Sequence, residues 1–221
     1  MNYLAHGYRF LENPPFLAGT ALPDFLSVVD RGVRLRSRRI LGVFTELEGA
    51  EREVATGVLQ HLRDDDVFHG CPTFLMLEAE LTARFRRVIP DRFDHRPPFL
   101  GHIVTELLLD AEISERYPGS VSGWYAAMEA ISGDWIQSVV SRLAVRRTTN
   151  LSGFLSKFLS ARVLCDYVSD ERLLFRLNQV LRRVTLPEID EQCLGTLRDG
   201  RRLLRQHAES LLLAVETAPA A

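Results

Sequence analysis

Apolar residues recur three and four positions apart along nearly the whole chain, while runs that alternate apolar and polar residues are scarce. Leu77, Leu81 and Phe85 show this spacing. A period close to 3.6 places such residues on one face of a helix, whereas a strand needs a period of two. The sequence therefore predicts an all-α fold.

Proline and glycine divide this pattern into helical segments. The residues before Pro14 and Pro97 are disfavoured in the α conformation, and Pro72 and Pro187 suit first helical turns. The predicted segments are residues 2–11, 16–31, 46–68, 72–88, 98–115, 119–144, 150–167, 170–183 and 187–214. Since 221 residues suffice for one large core, we predict a single-domain helical bundle over residues 1–215. The small, polar residues 216–221 are predicted to form a flexible tail.

Composition and charge exclude several classes of function. A net charge of -2 makes nucleic-acid binding unexpected, because such proteins normally carry a basic surplus. No apolar run approaches the roughly 18 residues of a membrane helix, and MNYLAHGYRF lacks the features of a secretory signal. We therefore expect a cytoplasmic protein without a membrane partner. Its three scattered cysteines, with no CxxC motif, are expected to be reduced thiols.

The stretch QHLRDDDVFHG, residues 60–70, places acidic residues and histidines on an otherwise apolar helix face. At about 100° per residue, His61, Asp65 and His69 fall in the same arc as Val54 and Val58. These three polar side chains are therefore expected to point toward the core.

Only one of the three consecutive aspartates shares that direction. Asp64 and Asp66 lie off the two flanks of the apolar arc, so Asp65 alone is predicted to point inward. Burial of an unpaired carboxylate costs several kcal/mol, which implies a partner. A divalent cation is one such partner, and a hydrogen bond between His61 and Asp65, one turn apart, is the alternative.

A second predicted helix, PPFLGHIVTELLLDAEI at residues 97–113, repeats the pattern. Its polar residues follow an i, i+4, i+8 spacing and are expected to face the core, namely His102, Glu106 and Asp110. The expected solvent side carries Gly101, Thr105 and Glu112. Two such helices favour a shared metal or acid–base site, and a structural polar network is the alternative.

Helix geometry restricts how these ligands share an ion. Residues eight apart are separated by about 12 Å, so His61 and His69 are too far apart for one ion. A reasonable set is His61 and Asp65 with His102 and either Glu106 or Asp110. The others then serve as further ligands, as orienting residues, or as ligands of another ion about 3.5 to 4 Å away. Mixed imidazole and carboxylate ligands suit Mn, Fe, Ni, Co or Zn.

Near the N-terminus, His6 and Asp24 also admit local capping roles. However, the segments MNYLAH, GTALPDF and GVLQHLRDD resemble the N-terminal signature of acyl carrier protein phosphodiesterases. The resemblance places His6, Asp24, His61 and Asp65 at that family's functional positions. It implies an all-α, HD-domain-like relative of the HD-domain phosphohydrolases, although the chain contains no contiguous His-Asp pair.

The resemblance further implies a divalent metal, usually manganese, and cleavage of the phosphodiester between phosphopantetheine and a carrier-protein serine. A bound cation would lower the pKa of its water and neutralise phosphoryl oxygens. Asp65, together with Glu106 or His69 as proton carriers, is the expected catalytic set. The expected metal ligands or orienting residues are His6, Asp24, His61, Asp65, His102 and Asp110.

Two functions follow from these residues. The first is a metal-dependent phosphohydrolase or phosphodiesterase whose partner is a phosphorylated substrate or an acyl carrier protein. The basic stretch RGVRLRSRR, residues 31–39, would guide such a partner or would simply be a solvated loop. The second is a non-catalytic helical interaction module that retains a structural His/Asp polar network.

Overall fold

A computed structural model describes residues 1–89 and 94–217. Within these ranges the chain forms α-helices and three short 3-10 helices and no β-strand, which confirms the predicted all-α class. The 3-10 helices are Phe44–Glu46, Val163–Asp166 and Glu191–Cys193. The α-helices are α1 (Tyr3–Gly7), α2 (Pro14–Val29), α3 (Ser37–Val43), α4 (Gly49–Gly70), α5 (Pro72–Val88), α6 (Arg96–Arg116), α7 (Ser120–Glu129), α8 (Gly133–Leu143), α9 (Leu151–Ala161), α10 (Asp170–Arg183) and α11 (Leu194–Glu216).

Local side-chain hydrogen bonds explain two departures from the predicted helix ends. The predicted segment 119–144 is two helices, because Ser132 caps α8 by accepting from the backbone N–H of Trp135 at 3.4 Å. The predicted segment 187–214 becomes helical only later. There, the Asn178 side chain accepts from the N–H of Ile189 and donates to its carbonyl, each at 2.9 Å, and residues 186–190 are not helical.

The chain folds into two compact units. The N-terminal unit contains Asn2–Asp65 and Pro118–Arg162, and the C-terminal unit contains Met1, Asp66–Tyr117 and Val163–Ala221. The division falls inside α4, between Asp65 and Asp66. A single domain over residues 1–215 stays a prediction, and residues 218–221 of the predicted tail lie outside the described residues.

Aromatic side chains hold the first helices of the N-terminal unit together. Tyr3 of α1 packs its ring 5.0 Å from Phe25 of α2 and 4.9 Å from Phe158 of α9. The ring of Trp124 in α7 lies 6.2 Å from the Tyr3 ring in an edge-on arrangement. Such contacts bury large apolar surfaces in a defined geometry. They fix α1 and thereby the side chain of His6, one helical turn after Tyr3.

Two glycines allow α2 and α4 to approach closely. A Cβ atom on Gly19 would lie 3.0 Å from the Cα of Gly57 and would overlap the Val54 carbonyl. A Cβ on Gly57 would overlap the carbonyl of Phe16. Only residues without a side chain fit at this crossing. The short distance between the two backbones brings Thr20 of α2 within reach of His61 of α4.

In the C-terminal unit, α6 is enclosed by α5 and α11. It is buried without interruption from Val104 to Ile113. A Cβ on Gly101 would lie 2.7 Å from the Glu78 carbonyl oxygen, so α5 covers that side of α6. The predicted solvent side is therefore wrong. Gly101, Thr105 and Glu112 are all buried, because neighbouring helices cover the face that periodicity assigned to water.

Among the helices of residues 1–89 and 94–217, none has the combination of length and apolar character that crossing a membrane would require.

Candidate metal centre

Three of the predicted site residues form one group in the N-terminal unit. His6, His61 and Asp65 each offer a ligand atom, and these atoms lie within 4.8 Å of one another. We call these residues the His61 group. His6 comes from α1 and the other two from successive turns of α4, so tertiary packing assembles the group.

A backbone carbonyl fixes the orientation of His61. Its Nδ1 lies 2.7 Å from the carbonyl oxygen of Thr20, and a carbonyl only accepts hydrogen bonds. The proton is therefore on Nδ1, and Nε2 is the nitrogen that faces the carboxylates. It lies 3.4 Å from Asp65 Oδ2 and 4.0 Å from Asp24 Oδ1. Metal-binding histidines are typically oriented in this way by a bond from the other ring nitrogen.

His6 is buried completely, yet it makes no well-directed hydrogen bond. Its side chain is 0% exposed, and its ring stacks on that of His61 with 3.9 Å between centroids. Nε2 lies 3.2 Å from Asp65 Oδ1, but neither ring nitrogen has hydrogen-bond geometry to a partner. Buried polar groups nearly always have a hydrogen-bond partner. Because the nitrogens of this ring have none, the ring is suited to binding a metal ion.

Asp24 adjoins the His61 group from α2. Its Oδ2 is a buried oxygen without a hydrogen-bond partner, while Oδ1 faces His61. Burial raises the pKa of the Asp24 carboxyl, although the charge of His61 counteracts this. A nearby cation would favour the ionised form of Asp24 and so counteract the effect of burial on its pKa.

The protonation tendencies within the group are complementary. Burial would raise the pKa of Asp65, but the adjacent His6 and His61 imidazoles hold it far below its usual range. Burial would lower the pKa of His61, but its hydrogen bond to Asp65 and the charge of Asp24 raise it. The directions of both shifts favour an ionised Asp65 beside the His61 imidazole.

Asp64 corrects the predicted orientation of the three aspartates. It is 0% exposed, whereas the side chain of Asp65 is 30% exposed, and only Asp66 is on the surface. Asp64 accepts hydrogen bonds from Gln60 at 2.8 Å and Arg63 at 2.9 Å. Burial would raise its pKa, but nearby His6 and these two donors lower it. The buried arc of α4 is wider than predicted, because His6 of α1 lies beside Asp64, with 3.9 Å between Nδ1 and Oδ2.

A second group forms in the C-terminal unit. His69 at the end of α4 and His102 and Glu106 of α6 bring three ligand atoms within 4.8 Å of one another. We call these residues the His102 group. Glu106 Oε1 lies 2.9 Å from His69 Nε2 and 3.5 Å from His102 Nε2, and the two imidazoles stack with 5.0 Å between centroids.

Charge is also balanced in the His102 group. Glu106 is buried, which would raise its pKa, but the Met1 amine at 3.1 Å and the two histidines lower it strongly. The pKa of His102 is raised by Glu106 first, and then by Glu78. His102 Nδ1 lies 3.0 Å from Glu78 Oε1, so a carboxylate orients this ring as the Thr20 carbonyl orients His61.

The structure therefore divides the predicted site residues. His6, His61 and Asp65 come together, with Asp24 beside them, whereas His69, His102 and Glu106 form a separate group. Asp110 is buried on α6 and belongs to neither of the two groups found among residues 1–89 and 94–217.

Sequence reasoning missed three contributors. Thr20 acts through its backbone carbonyl, which no side-chain pattern indicates. Glu78 lies on α5 as one of many polar residues there. For Asp64 a signal existed, since Gly57 marks a closely packed side of α4 about 20° away from it.

The His61 group fits a divalent cation. Ligand bonds of about 2.0 to 2.2 Å require neighbouring ligand atoms to be roughly 3 to 4 Å apart. The separations of 3.2, 3.4 and 4.0 Å match this requirement. Because Asp24 and Asp65 are both partly exposed, a bound ion would be accessible on the carboxylate side.

Comparison with family models, with curated proteins and with solved structures finds no match for this chain. The resemblance of its N-terminal motifs to acyl carrier protein phosphodiesterases stays a prediction.

Proposed function

We propose that the protein is a divalent-metal-dependent phosphohydrolase that cleaves a phosphodiester at the His61 group. One observation carries the proposal. His61 is oriented by the Thr20 carbonyl so that Nε2 converges with Asp24, Asp65 and the stacked ring of His6, whose nitrogens lack directed hydrogen bonds.

Each residue has a defined part in this proposal. Asp65 and the two histidines hold the ion, and Asp24 supplies a further oxygen from α2. An ion held there would neutralise charge on the phosphoryl oxygens and lower the pKa of a bound water. The Thr20 carbonyl keeps the proton of His61 on Nδ1, which leaves Nε2 for the ion. The partly exposed carboxylates give the substrate access.

The proposed substrate is the phosphopantetheine–serine phosphodiester of an acyl carrier protein, and the proposed fold type is HD-domain-like. Both rest on the motifs MNYLAH, GTALPDF and GVLQHLRDD. The N-terminal unit also exposes five arginines between residues 31 and 39. They are Arg31, Arg34, Arg36, Arg38 and Arg39. An acidic carrier protein would be attracted to such a cluster.

The test combines metal analysis with turnover. The purified protein is loaded with Mn²⁺ and incubated with a phosphopantetheinylated carrier protein, and intact mass reports loss of the group. Asp65→Asn should reduce cleavage to background and lower the metal content, because it removes charge from a ligand held by two histidines. Asp66→Asn is the matched control, since Asp66 is exposed on the same helix.

The alternative function is a helical interaction module in which the His61 group is only a polar network. Both oxygens of Asp65 already face histidines, which is the observation in its favour. A metal-free wild-type protein that neither binds Mn²⁺ nor cleaves a phosphodiester would support this alternative. Binding of Mn²⁺ with cleavage lost in Asp65→Asn would exclude it.

A further inference from the structure

Two imidazoles converge on one carboxylate oxygen in the His102 group. His69 and His102 each direct Nε2 toward Glu106 Oε1, at 2.9 and 3.5 Å. Their rings are nearly parallel, with 15° between the planes. A carboxylate oxygen can accept from two donors, but here both imidazole nitrogens and the carboxylate also lie close enough together to share one ion. Convergence of three ligand atoms from two helices is the arrangement of a cation site.

Glu78 of α5 fixes the nitrogen that His102 presents. A carboxylate only accepts, so His102 donates its Nδ1 proton to Glu78 Oε1 at 3.0 Å. In the neutral ring, the lone pair is then on Nε2, the atom that faces Glu106. Carboxylate–histidine pairs of this kind hold metal ligands in position. The close approach of α5 and α6 at Gly101, the residue before His102, produces the pair.

Burial and charge also suit a cation. Glu106 is only 11% exposed at its side chain, while His69 and His102 are 32% and 41% exposed. The carboxylate is thus at the base of the group and the imidazoles lead to solvent. The Met1 amine lies 3.1 Å from the same Glu106 oxygen, so a divalent ion bound here would replace this amine as the cationic partner of Glu106.

We propose that the His102 group is a second divalent-metal site, separate from the His61 group. Its ligands are His69 Nε2, His102 Nε2 and Glu106, and Glu78 is a positioning residue. Two imidazoles and one carboxylate favour Zn²⁺ or Co²⁺ over Mg²⁺ or Ca²⁺, which prefer oxygen ligands. The site goes beyond the proposed hydrolytic function, because none of its ligands belongs to the His61 group.

The test is titration of the metal-free full-length protein with Co²⁺, whose visible absorption reports imidazole coordination. Wild type should bind two ions per chain. His102→Gln should weaken one of the two by more than about 100-fold, since loss of a ligand exceeds the 10- to 100-fold cost of losing an orienting residue. His95→Gln, at an exposed histidine of the same unit, is the matched control and should leave both sites unchanged.

Asp65→Asn separates this proposal from the hydrolytic one. The variant should lose the ion of the His61 group and still bind one Co²⁺, which His102→Gln in the same chain then removes. Absence of Co²⁺ binding by Asp65→Asn, or an unchanged count in His102→Gln, would overturn the second site. Loss of hydrolysis alone would not affect it, because the readout is stoichiometry.

Glu78→Gln tests the orienting role. It should weaken Co²⁺ binding at the His102 group by about 10- to 100-fold and shift the absorption band. A purely structural role for Glu78 would lower the melting temperature without changing the affinity for Co²⁺, and that result would remove Glu78 from the proposal.

Discussion

The His61 group and the His102 group use the same residue types with opposite patterns of burial. In the His61 group the two imidazoles are buried and the carboxylates reach solvent. In the His102 group the carboxylate is buried and the imidazoles are partly exposed. Carboxylates therefore face water in the His61 group, whereas imidazoles face water in the His102 group. Only the His61 group presents two adjoining carboxylates, Asp24 and Asp65, at its accessible side.

The two groups also differ in how one histidine is oriented. A backbone carbonyl holds His61, and that carbonyl carries no titratable charge. A glutamate holds His102, and it adds negative charge next to the ring. A carboxylate partner raises the basicity of a ligand more than a carbonyl does. Similar clusters in one protein can therefore differ in ion preference and in chemistry.

The largest expected effect is that of a substitution at His6, which belongs to the His61 group and not to the His102 group. His6→Gln should lower Mn²⁺ retention by more than about 100-fold and reduce turnover to background, because a ligand of the His61 group is lost. The far-ultraviolet circular dichroism should stay near that of wild type. His95→Gln is the control. Unchanged Mn²⁺ content and activity in His6→Gln would show that His6 is a bystander and would reduce the site to residues of α2 and α4.

The second prediction concerns the helix crossing beneath the His61 group. Gly57→Ala should destabilise the protein by about 3 kcal/mol, because the added Cβ overlaps the Phe16 carbonyl and pushes α2 away from α4. The bond from His61 to Thr20 should lengthen, so Mn²⁺ affinity should fall as well. Chemical denaturation and metal titration measure the two effects.

Gly153→Ala is the control for that substitution. Gly153 also lies in a helix of the N-terminal unit, but its Cβ would meet nothing within 4 Å. Alanine should stabilise this position by about 0.5 to 1 kcal/mol. Similar stability changes in both variants would disprove the importance of the close crossing.

The third prediction compares adjacent aspartates of α4. Asp64→Asn should cost about 2 kcal/mol, because the buried carboxylate accepts from Gln60 and Arg63. Asp66→Asn should change the free energy of unfolding by less than about 0.5 kcal/mol, since Asp66 is exposed. Urea denaturation measures both. Equal values would contradict the burial difference between these two neighbours.

The smallest expected effect concerns a carboxylate of the C-terminal unit that pairs with arginines and not with histidines. Glu112 accepts from Arg116 at 2.7 Å and Arg205 at 3.0 Å. Burial would raise its pKa, but the two arginines lower it below the ordinary 4.5. Glu112→Gln should cost about 1.5 kcal/mol at neutral pH.

A lowered folded-state pKa sets the sign of the pH dependence. The stabilisation by Glu112 is fully present above about pH 4.5 and is lost as the pH falls through the folded-state value. The difference in melting temperature between wild type and Glu112→Gln should therefore be largest near pH 7 and shrink below about pH 4. A difference that grows in acid would show that the arginine pairs do not stabilise the folded state.

The sequence by itself determined the helical class, the helix carrying residues 60–70 and the inward direction of His61. These features depend on a 3.6-residue period and on proline positions, which act within a few turns of one helix. The ends of α5 and α10 were predicted for the same reason. The resemblance of MNYLAH and GTALPDF to a known family stays a prediction, and His6 and Asp24 lie beside His61 in the structure.

Only the tertiary structure decided how the candidate ligands are divided. Periodicity reports which side of a helix is apolar, but it carries no information on which helix covers that side. The burial of Asp64 depends on contact with His6 of α1, and that of Thr105 depends on the packing around α6. His102 is oriented by Glu78 because α5 approaches at Gly101. Packing between residues distant in sequence, and the close helix crossings that permit it, therefore produced two groups where the sequence predicted a shared site.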